Sequence, residues 1–383
     1  MKLQLDPTRE YGIVLEGGGA KGAYQIGAWE ALREAGIKIK GIAGTSVGAL
    51  NGAMMCMDDL EKAKLLWDNI SYSQIMDIDD AWIEQWKNRD FSSFSIHELI
   101  AEGKKIVKDR GIDITPLKQL IEQMVDEDRM FQSDKELFVS TISLSDRRPL
   151  IMDIKEAGEG EIKDMLLASA YFPVFKRERL GGKLYTDGGG ANNVPVDVLV
   201  DRGYQDIIVI RIYGLGYDTE KSFIVPEGVS LYHIAPRQNL GGILEFDKRK
   251  ARRNRKLGYL DGKRLLYGLA GRRYYIDASG SEAYYFDKMM SEAELLKGYL
   301  MRGLFQEEIE EPFGYRKYTE VIFPKLAKEF DLPDDWDYRD LYISVLEHLA
   351  GKLHISRLRV YSVPELLIKI QQKLRTLDRS FKI

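Results

Sequence analysis

Cysteine is almost absent. The 383-residue chain has one, Cys56, so no internal disulfide can form and nothing marks an oxidising compartment. Cys56 lies in the apolar run Ala49 to Met57, where a thiol reads as a small buried hydrophobe. Long apolar runs are missing too: nowhere do 18 apolar residues follow one another, and the opening MKLQLDPTREYG has neither an apolar h-region nor a cleavage-like site. The expectation is a cytosolic protein. Charge of one sign is not in excess, with a formal net charge of -4 and a pI near 5.8, so no global field favours nucleic acid. No cluster of His, Asp, Glu or Cys has metal-ligand spacing, and no cofactor is expected. With 44% hydrophobic and 30% charged residues, the chain reads as an ordinary globular protein with a substantial core.

What is abundant is glycine, concentrated in Tyr11 to Gly52. Two short apolar runs, Tyr11 to Leu15 and Ile37 to Ala43, each empty into a glycine-dense turn followed by helical periodicity: strand, turn, helix, twice over. The first turn, Gly17-Gly18-Gly19-Ala20-Lys21-Gly22, presents backbone N–H groups unscreened by side chains at a helix N-terminus, where an anion is favoured. The second, Gly44-Thr45-Ser46-Val47-Gly48, reads as a nucleophile elbow, in which a tight strand-to-helix turn needs small neighbours two positions either side of the serine. Gly17-x-Gly19-x-x-Gly22 also fits a dinucleotide fingerprint, but that fold wants an acidic residue ending the second strand, roughly 20 residues past the glycines. Here the strand ends in Ile42-Ala43-Gly44 and delivers Ser46.

A GGGxKG turn, then GxSxG, then a distant Asp-Gly-Gly, here Asp187-Gly188-Gly189, resembles the pattern of the patatin-like phospholipases. Two further stretches are similar to the family: Ala168-Ser169-Ala170-Tyr171-Phe172-Pro173 and Asn192-Asn193-Val194-Pro195. The resemblance spans roughly residues 8 to 270. It implies a three-layer α/β/α fold with a largely parallel central sheet and a lipid acyl hydrolase with Ser46 as nucleophile and Asp187 as its base. It also implies an oxyanion hole formed by the amides of Gly17, Gly18 and Gly19. Gly22, Gly44, Gly48, Gly188 and Gly189 then support the motifs. The implied partner is a lipid substrate, cleaved through an acyl-enzyme without a cofactor. A serine–aspartate dyad needs no histidine, and of His97, His233, His348 and His354 none sits in a motif resembling a triad histidine; each reads as structural, with His233 the first to check.

Elsewhere the patterns predict a helix from Leu60 to Ile70 and an aromatic-rich irregular stretch from Ser71 to Phe94, which packs as a long connection or acts as a lid. A helix opens at Thr115-Pro116 with Thr115 as N-cap, a hairpin runs through Leu137 to Leu144 and Pro149 to Ile154, and a helix covers Glu161 to Ala170. Strands follow at Lys183 to Thr186, Asp206 to Ile212 and Val229 to Ile234, and a long helical stretch closes the domain within Gly241 to Ala270. The domain is expected over 8–275, with a helical region of unread role over 276–383. There Ser362-Val363-Pro364-Glu365 reads as a capping box, and Leu366, Leu367, Ile370, Leu374 and Leu377 trace one apolar face. Lys21 reads as a solvated first-turn residue or a contact to substrate phosphate. The run Lys248, Arg249, Lys250, Arg252, Arg253, Arg255 and Lys256 reads first as a solvated helix face; the sharper alternative is peripheral docking on anionic membrane. Two rival functions stay open: a non-catalytic lipid-binding or interaction module on the same fold, and a nucleotide-binding oxidoreductase. Oligomeric state and head-group preference are not written in the residues.

Overall fold

A computed structural model describes residues 1–77, 111–158, 160–292 and 315–380. They fall into two compact units, Leu3–Leu266 and Tyr267–Ile383, the latter with Met1 and Lys2. The first unit is built on a mixed, mostly parallel sheet flanked by helices. Its described elements are β1 (Glu10–Leu15), α1 (Ala23–Glu34), β2 (Lys38–Thr45), α2 (Val47–Cys56), α3 (Leu60–Asn69), α4 (Thr115–Met124), α5 (Glu127–Gln132), β3 (Glu136–Ser143), β4 (Arg148–Asp153), α6 (Glu161–Ser169), β5 (Tyr185–Asp187), α7 (Val196–Asp201), β6 (Asp206–Ile210), β7 (Ser230–Ile234) and α8 (Lys248–Tyr267).

The strand order is β4-β3-β2-β1-β6-β7, with β5 also paired to β3. The central strands β1, β2, β3 and β6 run parallel to one another and are apolar on both faces: Ile13, Val14, Leu15, Ile42, Ala43, Leu137, Val139, Ile207, Ile208 and Val209 are all inaccessible. That is the composition a doubly covered sheet demands, each aliphatic side chain so buried contributing about 1.5–3 kcal/mol. The antiparallel hairpin β3–β4 forms one edge. Helices α1 and α8 meet at backbone distance, because a Cβ on Gly27 would stand 1.8 Å from the Arg255 carbonyl oxygen and one on Gly258 would stand 1.9 Å from that of Tyr24.

Register decides where the site falls. Along one edge of β3, β2 pairs as far as Thr45 opposite Ser140, and β5 takes over on that edge with Asp187 opposite Thr141. The residue after Thr45 and the last residue of β5 therefore meet at the carboxyl end of the parallel strands, where ligands of such sheets bind.

Some local expectations shift. Thr115 is the first helical residue of α4 rather than its cap, and its amide donates to Asp113 Oδ1 at 2.7 Å. The stretch 78–94 and His97 lie outside the described residues. The second unit is not wholly helical: β8 (Tyr275–Asp277) and β9 (Val360–Ser362) form a parallel pair among α9 (Glu282–Ser291), α10 (Phe323–Glu329), α11 (Tyr338–Lys352) and α12 (Val363–Ser380). Its own core includes Tyr342, Leu346, Tyr361 and Leu366. At the start of α12, Ser362 Oγ accepts from the Glu365 amide at 3.3 Å, while the Glu365 carboxylate turns to Arg359; Leu366, Leu367, Ile370 and Leu374 are buried.

Candidate active site

Ser46 caps α2 with φ 54° and ψ -123°, a conformation costly for a residue with a Cβ and held only by an over-determined turn. The two flanking glycines supply that determination. A Cβ on Gly44 would lie 2.6 Å from the Gly48 carbonyl oxygen, and one on Gly48 would lie 2.2 Å from that of Leu15. The Ser46 amide donates to Ser169 Oγ at 2.8 Å, and Ser169 Oγ donates to the Ser140 carbonyl at 2.6 Å. Ser169, from the Ala-Ser-Ala-Tyr-Phe-Pro stretch, thus ties the elbow to β3.

Asp187 Oδ1 accepts from the Gly189 amide at 2.8 Å, and its carboxyl lies near enough to the Ser46 side chain for the two to interact. Burial pushes the Asp187 pKa up to about 6, with the nearby Ser46 side chain and the hydrogen bond from the Gly189 amide opposing it. Gly188 lets this loop lie on the sheet, since its Cβ would be 2.3 Å from the Ser140 carbonyl oxygen.

The glycine turn faces the same point: a Cβ on Gly17 would lie 3.4 Å from that of Ser46. Its amides are not equivalent. Gly17 N–H donates to the Asn193 carbonyl at 3.2 Å and Ala20 N–H to that of Ile243 at 2.7 Å. Among the backbone bonds of the described residues, none uses the amides of Gly18 and Gly19, which open the short helical turn Gly19–Gly22 where N–H groups have no intrahelical partner. Gly22 is required by Val47 and Trp67, 2.5 and 2.7 Å from where its Cβ would be.

Ser46, Asp187 and the three glycines line one cavity of about 120 Å³. Apart from Asn51 and Asn193 its remaining walls are apolar, among them Val47, Leu50, Met54, Trp67, Ile121 and Phe172, and no histidine lines it among the described residues. His233 pairs with Glu220, and His348 lies against Phe330 in the second unit. Lys21 neither reaches solvent nor points at the cavity: it is buried, its ammonium donates to the Tyr213 carbonyl at 2.6 Å, and burial lowers its pKa against the pull of Glu16.

In the basic run, Arg255 is bound to Asp68 and Glu30 at 2.8 and 3.0 Å. Arg252 donates to the Asp68 carbonyl, Arg253 to Gln238 and Asn239, and Lys250 pairs with Glu245. Lys256 lies over the Tyr259 ring. Lys248 and Arg249 are exposed at the start of α8. Most of the run thus fastens α8 to its own unit.

The sheet and the elbow define the class: a mixed α/β protein with a strained serine between strand and helix and a buried carboxyl lining the same cavity. Residues 13–200 match the family model of the patatin-like phospholipases, and over that range the chain is similar to that family. Among curated relatives, it is 28% identical over 212 residues to neuropathy target esterase sws of Drosophila melanogaster, a match covering 52% of this chain and 13% of that protein. It is 56% identical over 50 residues to lysophospholipase nte1 of Aspergillus terreus (strain NIH 2624 / FGSC A1156), covering 13% of this chain and 3% of that protein. The chain thus spans a small part of the length of these relatives. Among solved structures, VipD from Legionella pneumophila aligns with TM-score 0.43 and 12% identity over 89% of this chain and 84% of that one.

Proposed function

We propose that the chain is a lipid acyl hydrolase that cleaves carboxylic esters of fatty acids through an acyl-enzyme on Ser46. The observation that carries this reading is Ser46, on a strained elbow, lining the same largely apolar cavity as the buried Asp187 carboxyl with which it interacts. The cavity takes the acyl chain, and burial of its methylenes, at about 0.8 kcal/mol each, places the ester carbonyl against Ser46. Asp187 takes the hydroxyl proton as Oγ attacks the carbonyl carbon. The carbonyl oxygen becomes an oxyanion facing the amides of Gly18 and Gly19, each such donor being worth a factor of ~10²–10³ in rate. Asp187 returns the proton to the leaving alkoxide, then takes one from the water that attacks the acyl-enzyme and gives it to Ser46 Oγ as the acyl–Oγ bond breaks and the fatty acid leaves. Gly17 serves from behind, its amide held by Asn193. The family match and the relatives named as esterase and lysophospholipase support the ester and lipid class.

Labelling with a fluorophosphonate, mapped by peptide mass spectrometry, tests the assignment without a known substrate. Wild type should carry the adduct on Ser46, Ser46→Ala none, and Asp187→Asn should label at least about 100-fold more slowly. Folded wild type that stays unlabelled, with and without lipid vesicles, would refute the reading and favour a non-catalytic lipid-binding module.

A further inference from the structure

The segment 212–217, Ile-Tyr-Gly-Leu-Gly-Tyr, belongs to none of the motifs, yet it touches both halves of the centre. On one side Gly214 lies on the glycine turn: its Cβ would stand 1.7 Å from the Gly17 carbonyl oxygen and 2.9 Å from Gly18 Cα. On the other, Gly216 lies on the Asp187 loop: its Cβ would stand 2.5 Å from the Gly189 carbonyl oxygen. The Tyr217 amide donates to that same carbonyl at 2.7 Å, and the Asn193 amide donates to the Tyr217 carbonyl at 3.0 Å. Between the two glycines, Leu215 lines the cavity. The segment is a strap laid across the oxyanion turn and the loop of the base.

One carboxylate holds it there. Glu16, immediately before Gly17 and only 2% exposed, accepts three consecutive amides, Ile212 at 2.7 Å, Tyr213 at 3.0 Å and Gly214 at 3.0 Å. Arg211 Nε donates to it at 3.0 Å, and Asn193 Nδ2 lies 3.5 Å away. Burial alone would lower the Arg211 pKa, but Glu16 and Asp218 outweigh it and hold the guanidinium charged. From the other end of the turn, the Lys21 ammonium binds the Tyr213 carbonyl. Two charged residues that bracket the glycine turn in sequence therefore grip one peptide unit of the strap. Hydrogen bonds to an ionised acceptor are about twice as strong as neutral ones, and an unpartnered buried amide costs about 1–3 kcal/mol, so removing this charge releases the strap.

We propose that Glu16 is a positioning residue for the acyl transfer: its carboxylate, aided by Lys21, locks the strap 212–217 onto the turn and fixes the Gly18 and Gly19 amides relative to Asp187. This rests on the esterase reading above. The test compares wild type, Glu16→Gln and Lys21→Met on p-nitrophenyl butyrate, with two competitive inhibitors, a long-chain alkyl trifluoromethyl ketone, whose adduct carries the oxyanion, and oleic acid, which fills only the chain site. The expected result is a kcat lowered roughly 10- to 100-fold with KM within about two-fold, since a 1 Å misplacement costs up to that factor. Ketone inhibition should weaken in parallel while oleic acid inhibition holds. A kcat within two-fold of wild type, or oleic acid inhibition weakening in step with the ketone, overturns the proposal, the latter marking a distorted cavity. If Glu16→Gln does not fold, Lys21→Met decides by the same criteria. Hydrogen exchange of the amides at 212–214, followed by mass spectrometry, reads the strap independently of activity. Wild type lacking Ser46-dependent hydrolysis would strike down the esterase reading, while unchanged exchange in both variants would strike down the strap.

Discussion

In the proposed mechanism Asp187 is the base, and so the residue on which pH acts. Its carboxyl is pushed up to about 6 by burial, and a base must be ionised to take a proton, so kcat/KM should rise with pH along a single-proton limb centred near 6 and level off above it. A pH profile of a soluble ester checks this; a limb centred near 4 would place the base elsewhere. The same shift has a stability consequence. A carboxyl whose folded pKa exceeds its unfolded value keeps its proton longer in the folded state, which favours folding at low pH, and the advantage is lost as pH rises through about 6. Asp187→Asn lacks the buried charge, so scanning calorimetry should find it melting a few °C above wild type at pH 8, where about 1 kcal/mol is worth 2–4 °C, and level with it at pH 4. Cys56 is also raised by burial, to about 12, yet it serves nothing of this kind; it is the inert core thiol that its apolar surroundings in the sequence imply. Lys21 is where reading the residue alone falls short, because a lysine in a glycine-rich first turn carries no mark that a carbonyl 192 positions downstream will bury its ammonium.

At the scale of elements, the elbow is legible because its requirements are local. Gly44 and Gly48 are demanded by backbone atoms within a few residues and by β1 beneath, so spacing alone exposes them. Gly48→Ala forces a Cβ onto the Leu15 carbonyl oxygen and should lower the melting temperature by several °C, a clash of this kind costing about 1–3 kcal/mol, along with Ser46 labelling. Gly351→Ala, in α11 with nothing within 4 Å of the new atom, should be neutral or stabilising by up to ~1 kcal/mol. Thermal melts of the two variants side by side check the contrast. The strap was not legible, and Ser169 stood out only as part of a family-like stretch without its role, since isoleucine, tyrosine, leucine and serine signal nothing by type and these roles arise from contacts more than a hundred residues apart in sequence. The pair β8 and β9 escaped for a different reason: three residues are too few to display a period of two. The basic helix shows the limit of reading charge by count. Seven cations in nine positions suggest a surface, but Asp68, Glu30 and Glu245 engage several of them from other elements.

For the whole molecule, the division into two units carries its own prediction. Every described residue lining the cavity lies between Gly17 and Phe246, inside the unit Leu3–Leu266, so a chain ending at Ala270 should fold and still label on Ser46 at a rate within a few-fold of the full chain; loss of labelling in a folded fragment would assign the second unit a part in the chemistry. The largely parallel sheet was foreseeable from alternating strands and helices, and its wiring has a consequence for biosynthesis. Strand β1 finds β2 almost at once, but its other neighbour, β6, pairs Gly12 with Ile207, and the loop bearing the base follows the elbow by most of that distance. At ribosomal speeds of about 5–20 residues per second, on the order of ten seconds separate the emergence of Ser46 from that of Asp187. Under the proposed mechanism the nascent chain is inert toward ester throughout that interval, and it shows an unpaired apolar strand edge of the kind that chaperones cover and that other chains can join.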